Sequence, residues 1–417
     1  MDSMLVSGGY ELNGEVKAGG AKNAALPLLF STLLAEGEHV FKNMPRLKDI
    51  DSTCELLNLL GCETVREVNT LRVKVHKLKS FEANYDVVRK MRASILCLGP
   101  LVAKYGEAHV SLPGGCAIGT RPIDLHLEGL KNLGAEIIQE SGYVVAKAKN
   151  LQGGEVLFDM VTVGGTENIM MAASLAKGKT RIENAAKEPE IVDLANYLNK
   201  MGARISGAGT SIINIEGVER LTPSEHEVIP DRIETGTLLV AGAITGGEVT
   251  ITGCAPNHLQ ALIEKMRESG FKITESATTL TVHKCKSWSG VDITTAPHPG
   301  FPTDLQAQFM ALMTQAEGTS VISETIFENR FMHVQELVRL GADITPKTRV
   351  AVVRGTKGQL QGAPVMATDL RASACLVIAG LVAKGETKVN RIYHLDRGYE
   401  FFEKKLSTLG AKAIRTN

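Results

Sequence analysis

The sequence has no surplus charge: 46 Lys and Arg stand against 46 Asp and Glu. Tracking a phosphate backbone needs an excess of cations, so a general nucleic-acid-binding surface is excluded. Aromatic residues are scarce at 5%, with one tryptophan, Trp288, which leaves few platforms on which unpaired bases could stack. The seven cysteines, at positions 54, 62, 97, 116, 254, 285 and 375, are odd in number and form no CxxC pair. Neither a disulfide framework nor a zinc knuckle is indicated. No apolar stretch reaches the roughly 20 residues that span a bilayer; the longest, around Ala24 to Ala35 and Ala374 to Ala383, read as buried helices. The opening MDSMLVSGGYELNG lacks the basic and apolar regions of a secretory signal, and a cytosolic protein is expected.

What is present is an ordinary globular composition, 44% hydrophobic and 22% charged. A chain of 417 residues is long for one core, and two domains of about 200 residues are expected. Internal repetition supports this. A helical pattern ending in Leu-Gly-Ala or a near variant, and passing into a strand, recurs with its glycine at Gly61, Gly134, Gly202, Gly270, Gly341 and Gly410, at intervals of about 70 residues. A second glycine series, Gly37, Gly106, Gly178, Gly247, Gly318 and Gly385, follows Ala/Leu-rich helices and precedes β-branched strands. Such glycines suit the left-handed position that stops a helix. Each repeat therefore holds two helices and several short strands, with three repeats per domain.

Counting back about 11 to 15 residues from each glycine locates the helix starts, since helices of that length are common. The first series starts near Lys22, Arg92, Glu167, Glu234, Asp304 and Arg371, the second near Lys48, Arg121, Glu190, Asn257, Arg330 and Arg397. A basic residue at a helix N-terminus opposes the helix dipole by roughly 0.3–1 kcal/mol. Two explanations stand: ordinary ion pairs with nearby carboxylates, or a shared anionic ligand received by the free N–H groups and the cations together.

The segment Ser111 to Arg121, SLPGGCAIGTR, holds a cysteine among three glycines and a proline. That makes it a poor helix or strand and an expected exposed loop. A thiol exposed near cations is reactive, whereas the other six cysteines are accounted for by core packing.

Several segments, in order, carry a resemblance: AKNAALP (21–27), MRAS (91–94), SLPGGCAIGTRPIDLH (111–126), EPEIVD (188–193), PDRIETG (230–236), FPTDLQAQ (301–308), FENRFMH (327–333), TDLRAS (368–373) and DRGYE (396–400). Together they resemble the enolpyruvyl transferases that act on UDP-N-acetylglucosamine in bacterial peptidoglycan synthesis, over nearly the whole chain. The resemblance implies an inside-out α/β barrel of two similar domains, each of three βαβαββ units. It places residues 22–228 in the first, and residues 1–21 and 229–417 in the second. It also implies transfer of enolpyruvate from phosphoenolpyruvate to the sugar 3′-hydroxyl, with phosphate released through a tetrahedral intermediate, and no cofactor.

By the same resemblance, Lys22, Arg121 and Arg397 hold the phosphate, Arg330 and Arg371 lie near the carboxylate, and Arg92 bridges to the nucleotide. Asn23 bonds the sugar or the intermediate. Cys116 is the general acid and can form a phospholactoyl adduct on a loop that closes over substrate. Arg121, Pro122, Ile123, Asp124 and Leu125 contact uracil and ribose. Val161, Thr162, Val163 and Gly164 line the diphosphate, and Ile326 touches the uridine-sugar portion. Position 160 is Met160, where some family members carry Lys, so Thr162 and backbone N–H groups must serve there instead.

Asp304 is the expected base, also facing the sugar, and it is equally an expected helix N-cap; both can hold at once. Glu188 and Glu190 read as first-turn acids favoured by the dipole, or as participants in the chemistry. His126, His298, His333 and His394 fall near these motifs without metal-ligand spacing, and no metal is expected. Two alternatives make different demands on the sequence. A shikimate-pathway enolpyruvyl transferase would lack the SLPGGC loop. A non-catalytic sensor of UDP-N-acetylglucosamine would have lost Cys116, Lys22, Asp304 or Arg397, and all four are present.

Overall fold

The computed structural model describes residues 2–112 and 123–416. The described chain divides into two compact units, one continuous (residues 20–229) and one discontinuous (residues up to 19, then from 230 onward). Each contains three four-stranded sheets of one design. A short edge strand pairs in parallel with the strand that follows the repeat's first helix, and two antiparallel strands complete the sheet. In the second repeat, for example, Glu82–Ala83 runs parallel to Glu107–Ser111, which pairs with Tyr143–Lys147 and through it with Glu136–Glu140.

Strands borrowed from a distance close each unit. In the continuous unit, the edge strand of the first sheet is Glu225–Glu227, paired with Gly37–Lys42. In the discontinuous unit, Asn13–Lys17 is the edge strand beside Glu248–Thr252. There Ser3–Ser7 also lies between Glu386–Asn390 and Lys412–Thr416.

The first helices of the repeats form the centre of each unit. Lys22–Ser31, Leu98–Tyr105 and Val163–Ala173 serve the continuous unit; Arg232–Ile244, Gln306–Met313 and Leu370–Gly380 serve the other. Except for Leu98–Tyr105, which ends in half-buried Ala103, Lys104 and Tyr105, apolar residues dominate them all round rather than on one stripe, which suits helices enclosed on every side. In Gln306–Met313 every residue is buried. Removing a central side chain such as Leu312 would cost about 2–5 kcal/mol. The second helices are amphipathic: Lys48–Leu60 buries Ile50, Thr53, Leu56, Leu57 and Leu60 at helical spacing.

All six glycines of the Leu-Gly-Ala series have left-handed backbone. The second series holds except in the fourth repeat, where the left-handed residue is Gly246. Gly247 is glycine for another reason, since a Cβ there would fall 1.7 Å from the Leu12 carbonyl oxygen. Some expected helix starts need correction. The helix expected near Glu167 begins at Val163, because Thr162 caps it through the Gly165 N–H. Helices expected near Arg330 and Arg397 begin at Val334 and Phe402; Arg397 instead ends the 3-10 helix Ile392–Arg397.

Candidate active site

In the discontinuous unit, the chain brings Asp304, Arg330 and Arg371 together from three motifs in two successive repeats. Asp304 Oδ1 accepts from Arg330 Nη2 at 2.9 Å, and Oδ2 accepts from Arg371 Nη2 at 2.7 Å. Both arginine side chains are 4% exposed, whereas the Asp304 side chain is 25% exposed and is the accessible member. The expectation that Asp304 caps a helix is corrected here. It lies inside the 3-10 turn Thr303–Leu305, whose cap position is Pro302, and its carboxylate is committed to the guanidinium groups. The residues that do cap are Asp231, on the Ile233 and Glu234 N–H groups, and Asp369, on those of Arg371 and Ala372.

Burial by itself disfavours the charged form of Arg371, but the fields of Asp304, Tyr399 and Asp231 outweigh it and raise its pKa. The guanidinium stands 5.4 Å from the centre of the Tyr399 ring, a cation–π distance. Tyr399 is itself fixed from below, its hydroxyl bonded to Thr237 at 2.9 Å and to Gln308 Nε2 at 3.1 Å. Arg371 Nε and Nη1 are buried and have no partner among the described residues. These two buried nitrogens of a charged guanidinium, beside a second arginine, are chemically suited to receive an anion.

Sequence reasoning missed Glu324, which organises this region. It is 1% exposed. Its Oε2 accepts from the Thr303 hydroxyl at 2.8 Å, next to Asp304. Its Oε1 accepts from Thr295 and from the N–H groups of Ile326 and Phe327. One carboxylate thus sets both the Asp304 turn and the Ile326 backbone. Phe327 in turn lies under Arg330, at 5.4 Å from ring centre to guanidinium.

In the continuous unit, Lys22 is the first residue of its helix, beside Asn23, and its Nζ lies 3.4 Å from Asp49 Oδ2. Arg92 opens the 3-10 helix Arg92–Cys97. Ile123 is buried, and Asp124 and Leu125 begin the helix Asp124–Asn132. Val161, Thr162, Val163 and Gly164 form the half-buried start of their helix, with Met160 exposed just before it. Thr162 accepts the Gly165 N–H, which leaves its hydroxyl proton to donate outward.

His126 and Asn168 stand behind this segment. Asn168 Nδ2 donates to His126 Nδ1 at 3.1 Å, and Asn168 Oδ1 accepts from the Gly99 N–H at 2.7 Å. A Cβ on Gly164 would fall 3.1 Å from His126 Cε1, so glycine admits the ring. Burial, together with the charge of Arg92, pushes His126 down to about 4 and keeps it neutral. Glu167 is pushed well up by burial and by the neighbouring Glu190 and Glu188. Cys116, Arg121 and Pro122 lie outside the described residues. Among the described residues, no three His, Cys, Asp or Glu side chains gather as a metal site requires.

Six four-stranded sheets around buried helices are the architecture that enolpyruvyl transferases of known structure share with this chain. The family described as EPSP synthase (3-phosphoshikimate 1-carboxyvinyltransferase) matches residues 6–406. Solved structures share the fold over 100% of the chain. The enolpyruvyl transferase NikO from Streptomyces tendae aligns over 99% of its own length, with a TM-score of 0.87 at 24% identity. EPSP synthase from Acinetobacter baumannii aligns over 100% of its length, with 0.78 at 17%. The UDP-N-acetylglucosamine 1-carboxyvinyltransferase of Bdellovibrio bacteriovorus is 71% identical, covering 99% of this chain and 100% of that one. Its counterpart in Myxococcus xanthus is 60% identical, covering 100% and 99%. The chain belongs to the UDP-N-acetylglucosamine 1-carboxyvinyltransferase family.

Proposed function

We propose that the chain transfers the enolpyruvyl group of phosphoenolpyruvate to the 3′-hydroxyl of UDP-N-acetylglucosamine and releases phosphate, the step that commits this sugar to peptidoglycan. The observation that carries the reading at the level of residues is Arg371, buried beside Asp304 and Arg330 with two nitrogens that have no partner among the described residues. Arg371 and Arg330 are assigned the substrate carboxylate, which a guanidinium fork fits. Arg397, Lys22 and Arg121 are assigned the phosphate. Asn23 and Arg92 are assigned the sugar and its nucleotide, residues 121–125 the uridine, Val161 to Gly164 the diphosphate, and Ile326 the uridine-sugar portion.

The addition step needs a base for the hydroxyl and an acid for C3 of phosphoenolpyruvate. Asp304 takes the hydroxyl proton as the sugar oxygen bonds to C2, and Cys116 gives a proton to C3. A tetrahedral intermediate results, carrying the phosphate and the sugar on one carbon. Elimination then removes a proton from C3, breaks the C2–O bond to phosphate and restores the double bond. The cations stabilise the leaving phosphate. Among the described residues, no helix is long and apolar enough to cross a membrane, and the cytosol is the compartment proposed.

Phosphate release from phosphoenolpyruvate tests the reading. It is expected only when UDP-N-acetylglucosamine is also present. Release driven by shikimate 3-phosphate instead would assign the other branch of the fold, and nucleotide-sugar binding without release would indicate a sensor.

A further inference from the structure

Arg391 and Phe401 bracket the segment that carries Arg397, and both have left-handed backbone, with φ of 62° and 45°. Such residues cost about 1–3 kcal/mol each and persist only where their surroundings over-determine them. Between them runs the 3-10 helix Ile392–Arg397, whose hydrogen-bond geometry is weaker than that of an α-helix. This segment needs an external brace, and Arg415 supplies one. Its Nη1 donates to Asp396 Oδ2 at 2.9 Å and its Nη2 to Asp396 Oδ1 at 2.6 Å. Nη2 also reaches Glu403 Oε2 at 3.4 Å, and Asp2 Oδ2 stands 3.9 Å from Nη1.

Arg415 sits on the strand Lys412–Thr416, opposite Met4 of Ser3–Ser7, so the fork ties the residue next to Arg397 to a sheet. Two further contacts complete the mount. The Ile392 N–H donates to the Asp2 carbonyl at 3.3 Å. Gly398 packs so closely on Leu370, the residue before Arg371, that a Cβ would fall 2.7 Å from its Cδ2. A bidentate pair fixes direction as well as distance, which one ammonium contact does not.

We propose that Arg415 is a positioning residue for phosphoenolpyruvate: by clamping Asp396 it holds the turn that presents Arg397 to the substrate phosphate. The inference rests on the phosphate assignment of Arg397 given above. It is tested in the full-length enzyme with Arg415→Gln, Arg415→Lys, Asp396→Asn and Arg397→Ala, measuring KM for each substrate and the thermal midpoint. Arg415→Gln should raise KM for phosphoenolpyruvate about tenfold and leave KM for the nucleotide sugar within about twofold. Asp396→Asn should match it, the double variant should be no worse than either alone, and Arg415→Lys should fall between.

An unchanged phosphoenolpyruvate KM in Arg415→Gln, with Arg397→Ala impaired, overturns the positioning role. So does an equal rise in both KM values. Arg397→Ala without a phosphoenolpyruvate defect overturns the phosphate assignment itself. Should Arg415→Gln not fold, Asp396→Asn, which preserves side-chain volume, decides by the same criteria.

Discussion

Asp304 and Arg371 meet at 2.7 Å across the starts of two central helices, and the same carboxylate takes a second guanidinium from Arg330. Asp304 is therefore the counter-ion of two buried arginines and the accessible member of the cluster, to which the proposed mechanism gives the acid–base role. Asp304→Asn should lower turnover by at least about 10²-fold, the lower range for acid–base catalysis. It should also lower the melting temperature of the empty enzyme, because removing one partner of a buried pair costs about 3–5 kcal/mol. Phosphoenolpyruvate, bringing a carboxylate of its own, should restore part of that loss. Near-normal turnover with the stability loss intact would reduce Asp304 to a counter-ion.

The described thiols explain why Cys116 should stand alone in reactivity. Burial pushes Cys62 and Cys97 up to about 12, and it raises Cys54, Cys254 and Cys375 as well. Cys285 is half-buried, with its sulfur 3.0 Å from the Ser287 carbonyl. Fosfomycin, an epoxide resembling phosphoenolpyruvate, should add once, at Cys116, and fastest with the nucleotide sugar bound. Peptide mass spectrometry reads the site. Cys285→Ser should leave the adduct unchanged, and Cys116→Asp should resist it while keeping some turnover. An adduct at another cysteine would remove Cys116 from the acid role.

His126 predicts a stability profile. Its pKa falls from the usual 6.5 to about 4 through burial and then the charge of Arg92. Between those values the unfolded chain binds a proton that the folded chain refuses, so stability rises with pH across this window and is lost on acidification. Denaturant titrations from pH 4 to 6.5 should show His126→Gln with a shallower slope than wild type, by up to about 1.4 kcal/mol per pH unit. Parallel slopes would mean that the imidazole is not held neutral. His333, also near 4 through burial, remains in both proteins and cancels in the comparison.

Glu167 has the opposite sign of perturbation for a carboxylate. Burial first, then Glu190 and Glu188, raise its pKa well above the ordinary value. The folded state keeps a proton that the unfolded state releases, and the stability this gives at low pH is lost as pH rises through the folded pKa. Glu167→Gln should therefore melt above wild type, with a gap that widens from pH 5 to pH 8. A constant gap would show that the folded state does not hold this carboxyl protonated.

The repeat was readable because its stops are local: a glycine such as Gly61 or Gly270 is demanded by its own left-handed backbone. Lys22, Arg92 and Arg371 were readable because a cation at a helix start violates a local preference. Asp304 was misread as a cap because an acid in a first turn can satisfy either N–H groups or a distant arginine, and only the fold selects. The Asn168–His126 pair and the Gln308–Tyr399 support left no periodic trace, since their partners come from different repeats; Glu324 left none because its partners Thr295 and Thr303 lie more than 20 residues back along the same repeat. Arg415 looks like any solvent-facing residue of a final strand, and nothing in its neighbourhood of sequence names Asp396.

Strand Ser3–Ser7 is registered against Glu386–Asn390 and Lys412–Thr416, with Ser3 opposite Thr416. On the ribosome this strand emerges long before its partners exist. Residues 20–229 contain every strand of their own three sheets, so that unit can finish while the rest is still being made. At about 5–20 residues per second, the remainder takes roughly 10–40 s to appear. Asn13–Lys17 gains its partner as soon as Glu248–Thr252 appears, but Ser3–Ser7 stays without one until residues 386–390 emerge, open to any foreign edge it meets. Chaperone dependence during translation should therefore concentrate on the first 20 or so residues rather than on the larger unit that follows them.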